Sequence, residues 1–498
     1  MTQSALGLHE DEPISQSVVD VSGRRRLVDR MGPGWVRLLT ALGFGLPVAG
    51  YFWFLGHFSV NAMIEDQWDD VTVIQQSYVH FFPWGTMWAQ HFENRILFPN
   101  MVMVLLAHAV HFNVRVEELL GALMLVVATV FILWAHKRRS PSTPWLYYCP
   151  VAFLVFSVVQ YGNTIWGFQL AWYMVMLALA TAVLLLDRVT LTWVTFSGAL
   201  AVAVVGSFSS LQGLLIWPTG LVLLYFRRRS WPQIGVWIGA AVVATVLYFY
   251  NYKSSVSPDQ GFASHHPLAA FKFFLFAIGD VVGKSVNLGT SNSDNTFVVL
   301  FGLVIVILAV GTVLICGFRR DQRGASPVGI ALICYGLLFA ALITQGRSFL
   351  GYAAASFSRY TTFDLLILVG IYLALLGRRS HAIDTGAELA ADPAGTSGSP
   401  RRHSRAAGGW VDRVARPWAI VVVLVVIVVQ IPFGIHYGIE GASSQYSYDV
   451  TSASVLRNID HESNSQVRYY LYWFEPPSVV REQARTLEEH HLSVFPSG

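Results

Sequence analysis

The chain has 498 residues, 54% of them hydrophobic and only 13% charged, with a formal net charge of +3. Soluble domains carry about 25% charged residues, so this balance excludes a soluble globular protein, and so small a net charge excludes a nucleic-acid partner. Three cysteines, Cys149, Cys316 and Cys334, sit in or beside apolar runs without metal-ligand spacing, which excludes a disulfide framework.

Residues 1–34 are polar and read as a disordered cytoplasmic N-terminus without the form of a cleavable signal peptide. They end in a basic cluster, Arg24, Arg25, Arg26 and Arg30. Positive charge flanking a first span marks the cytoplasmic side. Span one, about 36–56, therefore delivers the stretch 57–100 to the outside. In that stretch Asp66, Asp69 and Asp70 stand at i, i+3 and i+4, on one face if the piece is helical. Three carboxylates on one face repel unless a cation, a basic group or a proton sits among them. A second polar knot follows at once: Gln90, His91, Glu93, Asn94 and Arg95.

The run 96–111 is apolar, but at 1.5 Å per residue it covers roughly 24 Å, short of the roughly 30 Å hydrocarbon core. If it crossed, His136-Lys137-Arg138-Arg139 and every later basic loop would lie outside. It is therefore read as a juxtamembrane helix in a first outer loop (57–116), with span two at 119–135 and the Lys/Arg run inside. Span three (145–161), span four (ending near Asp187-Arg188), span five (191–205), span six (ending at Arg227-Arg228-Arg229) and span seven (234–250) then alternate. An outer loop, 252–295, holds an amphipathic candidate at 267–282, read as a second interfacial helix. Span eight returns to Arg319, Arg320 and Arg323, span nine exits to Arg347, and span ten returns to Arg378-Arg379. Residues 379–416 read as a disordered cytoplasmic loop. Span eleven, 418–434, completes a transmembrane domain of 35–436 and leaves 437–498 as an extracytoplasmic tail, with a helix at 477–491 and a strand-like 467–473. The expected fold is an all-α polytopic membrane protein of about eleven transmembrane helices, N-terminus inside and C-terminus outside.

No Asp, Glu, Lys or Arg falls mid-span in this assignment, where ion-coupled carriers place theirs. Polar residues gather instead at the outer ends: Asp66, Asp69, Asp70, His91, Glu93, Arg95, Asn163, Gln169, Gln212, Arg347 and Arg359. Each alone has a structural reading, as a solvated face, a helix cap or a snorkelling arginine; Trp166 alone reads as an interfacial aromatic. Together they describe a site opening at the outer leaflet.

On these residues the chain resembles the GT-C superfamily of integral membrane glycosyltransferases, over most of 36–377. The resemblance rests on Glu65-Asp66 and Asp69-Asp70 soon after span one, interfacial helices before span two, and a polar turn after span three. His91-Phe92-Glu93-Asn94-Arg95-Ile96-Leu97-Phe98-Pro99 is similar to an H-x-E-x-R-I-x-x-P pattern of bacterial members. Gln160, Asn163, Trp166-Gly167-Phe168-Gln169 and Ser358-Arg359-Tyr360 resemble later signatures. The resemblance implies a bacterial plasma-membrane enzyme that moves a hexosyl or pentosyl group from a polyprenyl-phosphate sugar to a cell-envelope glycan, lipid or protein acceptor. It implies Asp66 or Asp69 as general base, and Arg95, Arg359 and Arg347, with His91 and Glu93, at the donor phosphate. Asn163, Trp166 and Gln169 would hold acceptor or sugar. Asp70 would assist or hold a divalent metal, Mg or Mn. The chain departs from well-studied members after span three, where Asn163 and Gln169 stand in place of a second acidic residue. Two other classes compete: a flippase or transporter of lipid-linked sugars, and a non-catalytic membrane scaffold.

Overall fold

A computed structural model describes residues 32–253, 261–284, 295–317, 327–391 and 416–495, with backbone alone for 377–391 and 416–419. The N-terminal arginine cluster, Arg319, Arg320 and Arg323, and residues 392–415 of the expected cytoplasmic loop lie outside the described residues. The chain is an all-α polytopic membrane protein. Among the described residues nine helices are long and apolar enough to cross a membrane, and shorter apolar helices lie between them.

The first, α1 (Pro33–Phe58), leads into a short 3-10 turn, Glu65–Gln67, and α2 (Trp68–Ser77). A short α3 (Trp84–Met87) precedes a hairpin of β1 (Gln90–His91) and β2 (Asn94–Arg95), paired in antiparallel register Gln90↔Arg95. Next come α4 (Leu97–Val110) and α5 (Val114–Lys137), the latter capped by the Asn113 side chain, which accepts from the Arg115 N–H at 3.1 Å.

The geometry at the start of α5 settles whether α4 crosses. Ser59, just past α1, donates its hydroxyl to Glu118 on the first turn of α5, and the Asn61 side-chain Oδ1 accepts from the Val114 N–H at 2.9 Å. The end of α1 and the start of α5 are therefore at the same end of the bundle, and the intervening α4 does not traverse it. Met103 and Ala107 of α4 pack instead with Trp68 and Ile74 of α2 and with the C-terminal residues Val480 and Leu487.

The third crossing, 145–164, is broken into α6 (Cys149–Val155), a 3-10 turn and α7 (Tyr161–Thr164). Ser157 is extended, and the Gln160 side-chain amide donates to the carbonyls of Val155 and Ser157, satisfying groups the break would leave bare. Then follow α8 (Leu170–Leu186), α9 (Trp193–Ser207), α10 (Ile216–Phe226) and α11 (Trp231–Phe249). A short α12 (Phe262–His265) and α13 (Pro267–Gly279) come next. α13 occupies the expected interfacial segment, and its first half leaves Leu268 and Phe271 exposed. Its second half, Leu275–Gly279, is buried, and Gly302 of α14 (Thr296–Gly317) approaches so closely that a Cβ there would stand 1.8 Å from the Leu275 carbonyl. The order continues with α15 (Val328–Arg347), α16 (Tyr352–Ala355), α17 (Thr361–Ala391) and α18 (Arg416–Arg457). Helix α17 runs past the expected membrane boundary at 378 to Ala391.

Among the described residues the nine long helices and the shorter apolar α9 and α10 form a bundle with two distinct ends. One end is basic. Arg139 and Arg227 pair with the buried Asp187, and Arg138 and Arg229 donate to carbonyls at the end of α8 and just beyond. The other end carries a cap, formed by 59–113 together with the C-terminal residues. There α19 (Asn464–Tyr470) and α20 (Pro477–Glu489) cover α2. α19 occupies the stretch expected to be strand-like: Ser463 and Gln466 form a reciprocal capping box that starts a helix, and this local end signal overrides the alternation of 467–473.

Candidate functional site in the cap

The expected acidic face forms at the junction between α1 and α2. Glu65 takes a left-handed φ of 50°, and its N–H donates to the Leu471 carbonyl at 3.0 Å. The turn that follows places Asp66 just ahead of α2, with Asp69 and Asp70 in its first turn, where the helix dipole favours negative charge. The basic group the three carboxylates require comes from the hairpin. His91 Nδ1 stands 2.9 Å from Asp69 Oδ2, and His91 Nε2 stands 4.0 Å from Asp66 Oδ2. Burial opposes a charge on this imidazole. The nearby carboxylates of Asp66 and Asp69, the latter hydrogen-bonded to the ring, outweigh that, raising its pKa to about 10. Tyr472, from the C-terminal segment, donates its hydroxyl to Asp69 Oδ1 at 2.8 Å. Both Asp69 oxygens are thus engaged. Asp66 keeps the looser contact and remains partly exposed.

Asp70 points into the interior. Burial, reinforced by Asp69 and Asp66 and only partly opposed by His91, pushes its carboxyl well above the ordinary carboxylate range. Behind it Gln67 donates to Glu117 Oε2 at 2.7 Å. Gly167 is needed at this point, because a Cβ there would meet Glu117 Oε2 at 2.3 Å. Asp70 Oδ2, Glu117 Oε1, Gln67 Oε1, Gln169 Oε1 and the Trp166 indole nitrogen are buried without a protein partner. Gln169 and Trp166 of the turn after span three thus line the same buried polar wall as the acidic face.

Arg359 reaches this cluster from the other side. Its guanidinium lies 5.7 Å from the Trp166 ring, 4.9 Å from Phe357 and 5.7 Å from Tyr360, within electrostatic reach of Asp66 and Glu65. Burial raises the Glu65 pKa while Arg359 pulls it down. Asn163 locks the Arg359 backbone, donating to its carbonyl and to the Thr362 hydroxyl, each at 2.7 Å.

The other two arginines lie elsewhere. All three guanidinium nitrogens of Arg95 donate to backbone carbonyls, of Tyr248, Trp88 and Tyr250, and the group rests 5.2 Å over Trp88. The hairpin is tied to the end of α11 by this strap, and Arg95 does not join Arg359. Arg347 pairs with Glu93, fastening the end of α15 to the same hairpin. Asn94 accepts from Ser210 and Leu211 at 2.9 and 3.0 Å, and the Gln212 side chain, from the same loop, accepts from Ser210 at 2.8 Å. The H-x-E-x-R run is therefore divided: His91 serves the carboxylates, whereas Glu93, Asn94 and Arg95 hold the cap to the bundle.

Sequence reasoning missed several buried acids inside the spans. Glu117 and Glu118 sit on the first turn of α5, and Asp364 lies one turn into α17. The adjacent pair Glu117-Glu118 so soon after an Asn cap was the available signal. No sequence signal pointed to Tyr472. Each Asp69 oxygen already has a partner, His91 or Tyr472, and among the described residues no group of three or more His, Cys, Asp or Glu side chains is arranged to hold a metal ion.

No protein-family model and no curated protein matches the sequence. Among solved structures, the chain is similar to ArnT from Cupriavidus metallidurans, determined bound to undecaprenyl phosphate. The identity is 13%, with 94% of this chain and 90% of that one covered, at a TM-score of 0.43.

Proposed function

We propose that this chain is a membrane glycosyltransferase of the GT-C type, moving a hexosyl or pentosyl group from a polyprenyl-phosphate donor to an acceptor in the cell envelope. The observation that carries the reading is the meeting of Asp66, Asp69, His91 and Arg359, from three separate segments, at the cap end of the bundle. By the positive-inside rule the basic end faces the cytoplasm and the cap faces out. A lipid-anchored sugar keeps its tail in the bilayer and presents its phosphate at this level.

The chemistry matches the groups. The acceptor oxygen attacks the anomeric carbon, the bond from that carbon to the phosphate oxygen breaks, and the acceptor proton passes to a carboxylate. Asp66, which has fewer contacts than Asp69, is the base. Asp69 fixes His91, whose positive charge holds the two carboxylates together. Arg359, clamped between aromatic rings, offers a planar fork to the departing polyprenyl phosphate. Asp70, whose pKa burial raises, faces the polar wall beside Gln169 and Trp166, where the sugar hydroxyls would sit. No step is routed through a metal.

The test is purification with bound lipid followed by mass spectrometry, then transfer from synthetic polyprenyl-phosphate sugars. A co-purifying polyprenyl phosphate and turnover that disappears in Asp66→Asn support the reading. A protein that neither retains nor binds such lipids overturns it.

A further inference from the structure

At the basic end of the bundle a groove of about 630 Å³ opens between α1 and α5. Its walls are apolar: Phe44 and Val48 of α1, Val126, Val130 and Leu133 of α5, and Phe156 just past α6. Two threonines reach it, Thr40 and Thr129, and both are satisfied within their own helices, donating to the Val36 and Leu125 carbonyls at 2.7 Å. Lys137 and Arg138 stand at its mouth, beside Trp134 and Trp145, which are 54% and 46% exposed.

The groove is one leaflet deep. From Val126 to Lys137, at 1.5 Å per residue, α5 covers roughly 16 Å, about half of the roughly 30 Å hydrocarbon core. Exposed tryptophans at one end of an apolar slot mark the headgroup level. The charge at that level is uncompensated. No Asp or Glu occurs in α1 or between Glu118 and Asp187, and Asp187 is taken by Arg139 and Arg227. Lys137 uses two of its three donors on the Pro141 and Thr143 carbonyls, and Arg138 donates to the Leu184 carbonyl with one amine of its five-donor fork. Both cations therefore keep donors for a further acceptor, and neither pairs with a carboxylate among the described residues. The apolar groove between α10 and α11, lined by Leu214, Leu221 and Val246, differs in having no charged residue in its lining.

We propose that the groove between α1 and α5 binds an anionic phospholipid from the leaflet at the basic end, with one acyl chain between the helices and the phosphate held by Lys137 and Arg138. An apolar slot alone accepts any lipid chain. The two cations select the headgroup, because each attracts a phosphate that carries net negative charge and repels the ammonium of a zwitterionic lipid. Glu118, at the other end of α5, lies at the cap. This lipid is therefore distinct from the sugar donor assigned to Arg359.

The full chain in detergent would be titrated with dioleoyl phosphatidylglycerol or dioleoyl phosphatidylcholine and followed by native mass spectrometry. The first phosphatidylglycerol should bind about tenfold more tightly than phosphatidylcholine. Lys137→Gln with Arg138→Gln should erase that preference. Arg188→Gln with Arg228→Gln, which removes as much charge outside the groove, should keep it. Val130→Trp fills the groove and leaves both cations in place; it should weaken phosphatidylglycerol about tenfold at unchanged melting temperature in lipid-free detergent. In the unsubstituted protein, brominated phosphatidylglycerol in vesicles should quench the emission of Trp134 and Trp145, assigned by difference from their Phe variants, more than brominated phosphatidylcholine does. Equal affinity for the two lipids, an equal loss in the two double-Gln variants, wild-type binding by Val130→Trp, or equal quenching by the two brominated lipids overturns the proposal. So does competition by glycerol 3-phosphate, which would make the site one for a free anion.

Discussion

Tyr472 donates its hydroxyl to Asp69 across 403 positions of chain. Through this bond the segment after α19 reaches the acidic cluster that follows α1. It also separates the roles of two otherwise equivalent carboxylates. Asp69 has both oxygens occupied, one by Tyr472 and one by His91, whereas Asp66 meets only the His91 ring, at 4.0 Å. Asp66→Asn should therefore cost about 10²–10⁴-fold in turnover with donor affinity retained. Asp69→Asn should cost less, acting through a displaced His91. Steady-state transfer assays beside donor-binding measurements check the order, and equal losses in the two variants would remove Asp66 from the role of base.

His91 should remain protonated well above ordinary histidine pH. Its folded pKa of about 10 lies above the unfolded 6.5. The stabilisation from the imidazolium–carboxylate contacts is therefore fully present below about pH 6.5 and lost as pH rises through about 10. Thermal unfolding followed from pH 7 to 10.5 should show a fall in melting temperature that His91→Gln does not share. Histidine NMR should place the ring titration near 10 in the wild type and lower in Asp69→Asn. A ring that titrates near 6.5 in the intact protein contradicts the assignment.

Arg359 is read as a fork, and a fork is sensitive to a change that preserves charge. Arg359→Lys keeps the cation but loses the planar group that stacks on Trp166 and Phe357. Loss of one charge-assisted bond should weaken donor binding by roughly 1.5–3 kcal/mol, about ten- to a hundredfold. Isothermal titration with polyprenyl phosphate would compare Arg359→Lys and Arg359→Ala. If Lys matches wild type the fork is unnecessary, and if Ala does too, Arg359 lies outside the site.

Arg95 should behave in the opposite way. Its partners are three backbone carbonyls, so Arg95→Ala leaves buried acceptors bare and loosens the hairpin from α11. The expected result is a lower melting temperature and reduced yield of folded protein, with an unchanged donor dissociation constant in the molecules that fold. A selective loss of donor affinity at unchanged stability would return Arg95 to the phosphate.

Topology can be checked in cells. A reporter fused after Arg139 should be cytoplasmic, because α4 does not cross and α5 ends in the basic cluster. An extracytoplasmic reporter there would invert every later helix.

Much of this protein was legible in its sequence, and the legible part is local. A span needs about twenty apolar residues and basic loops resist translocation, so run lengths and arginine positions give the crossings and the non-crossing of 96–111. Helical spacing alone puts Asp66, Asp69 and Asp70 together and calls for a basic group among them, which proves to be His91. Side-chain roles were a different matter. Arg95 and Arg359 look alike in sequence, and only their partners, carbonyls for one and aromatic rings beside carboxylates for the other, tell a strap from a candidate phosphate ligand. Glu117 joins the site because Gly167 lets it close on Gln67, and Tyr472 because the tail folds back over α2. An isolated side chain carries charge and shape but not its neighbours. Burial, pairing and the resulting shift in proton affinity arise only when segments hundreds of residues apart are packed together, and that packing is decided by the tertiary structure.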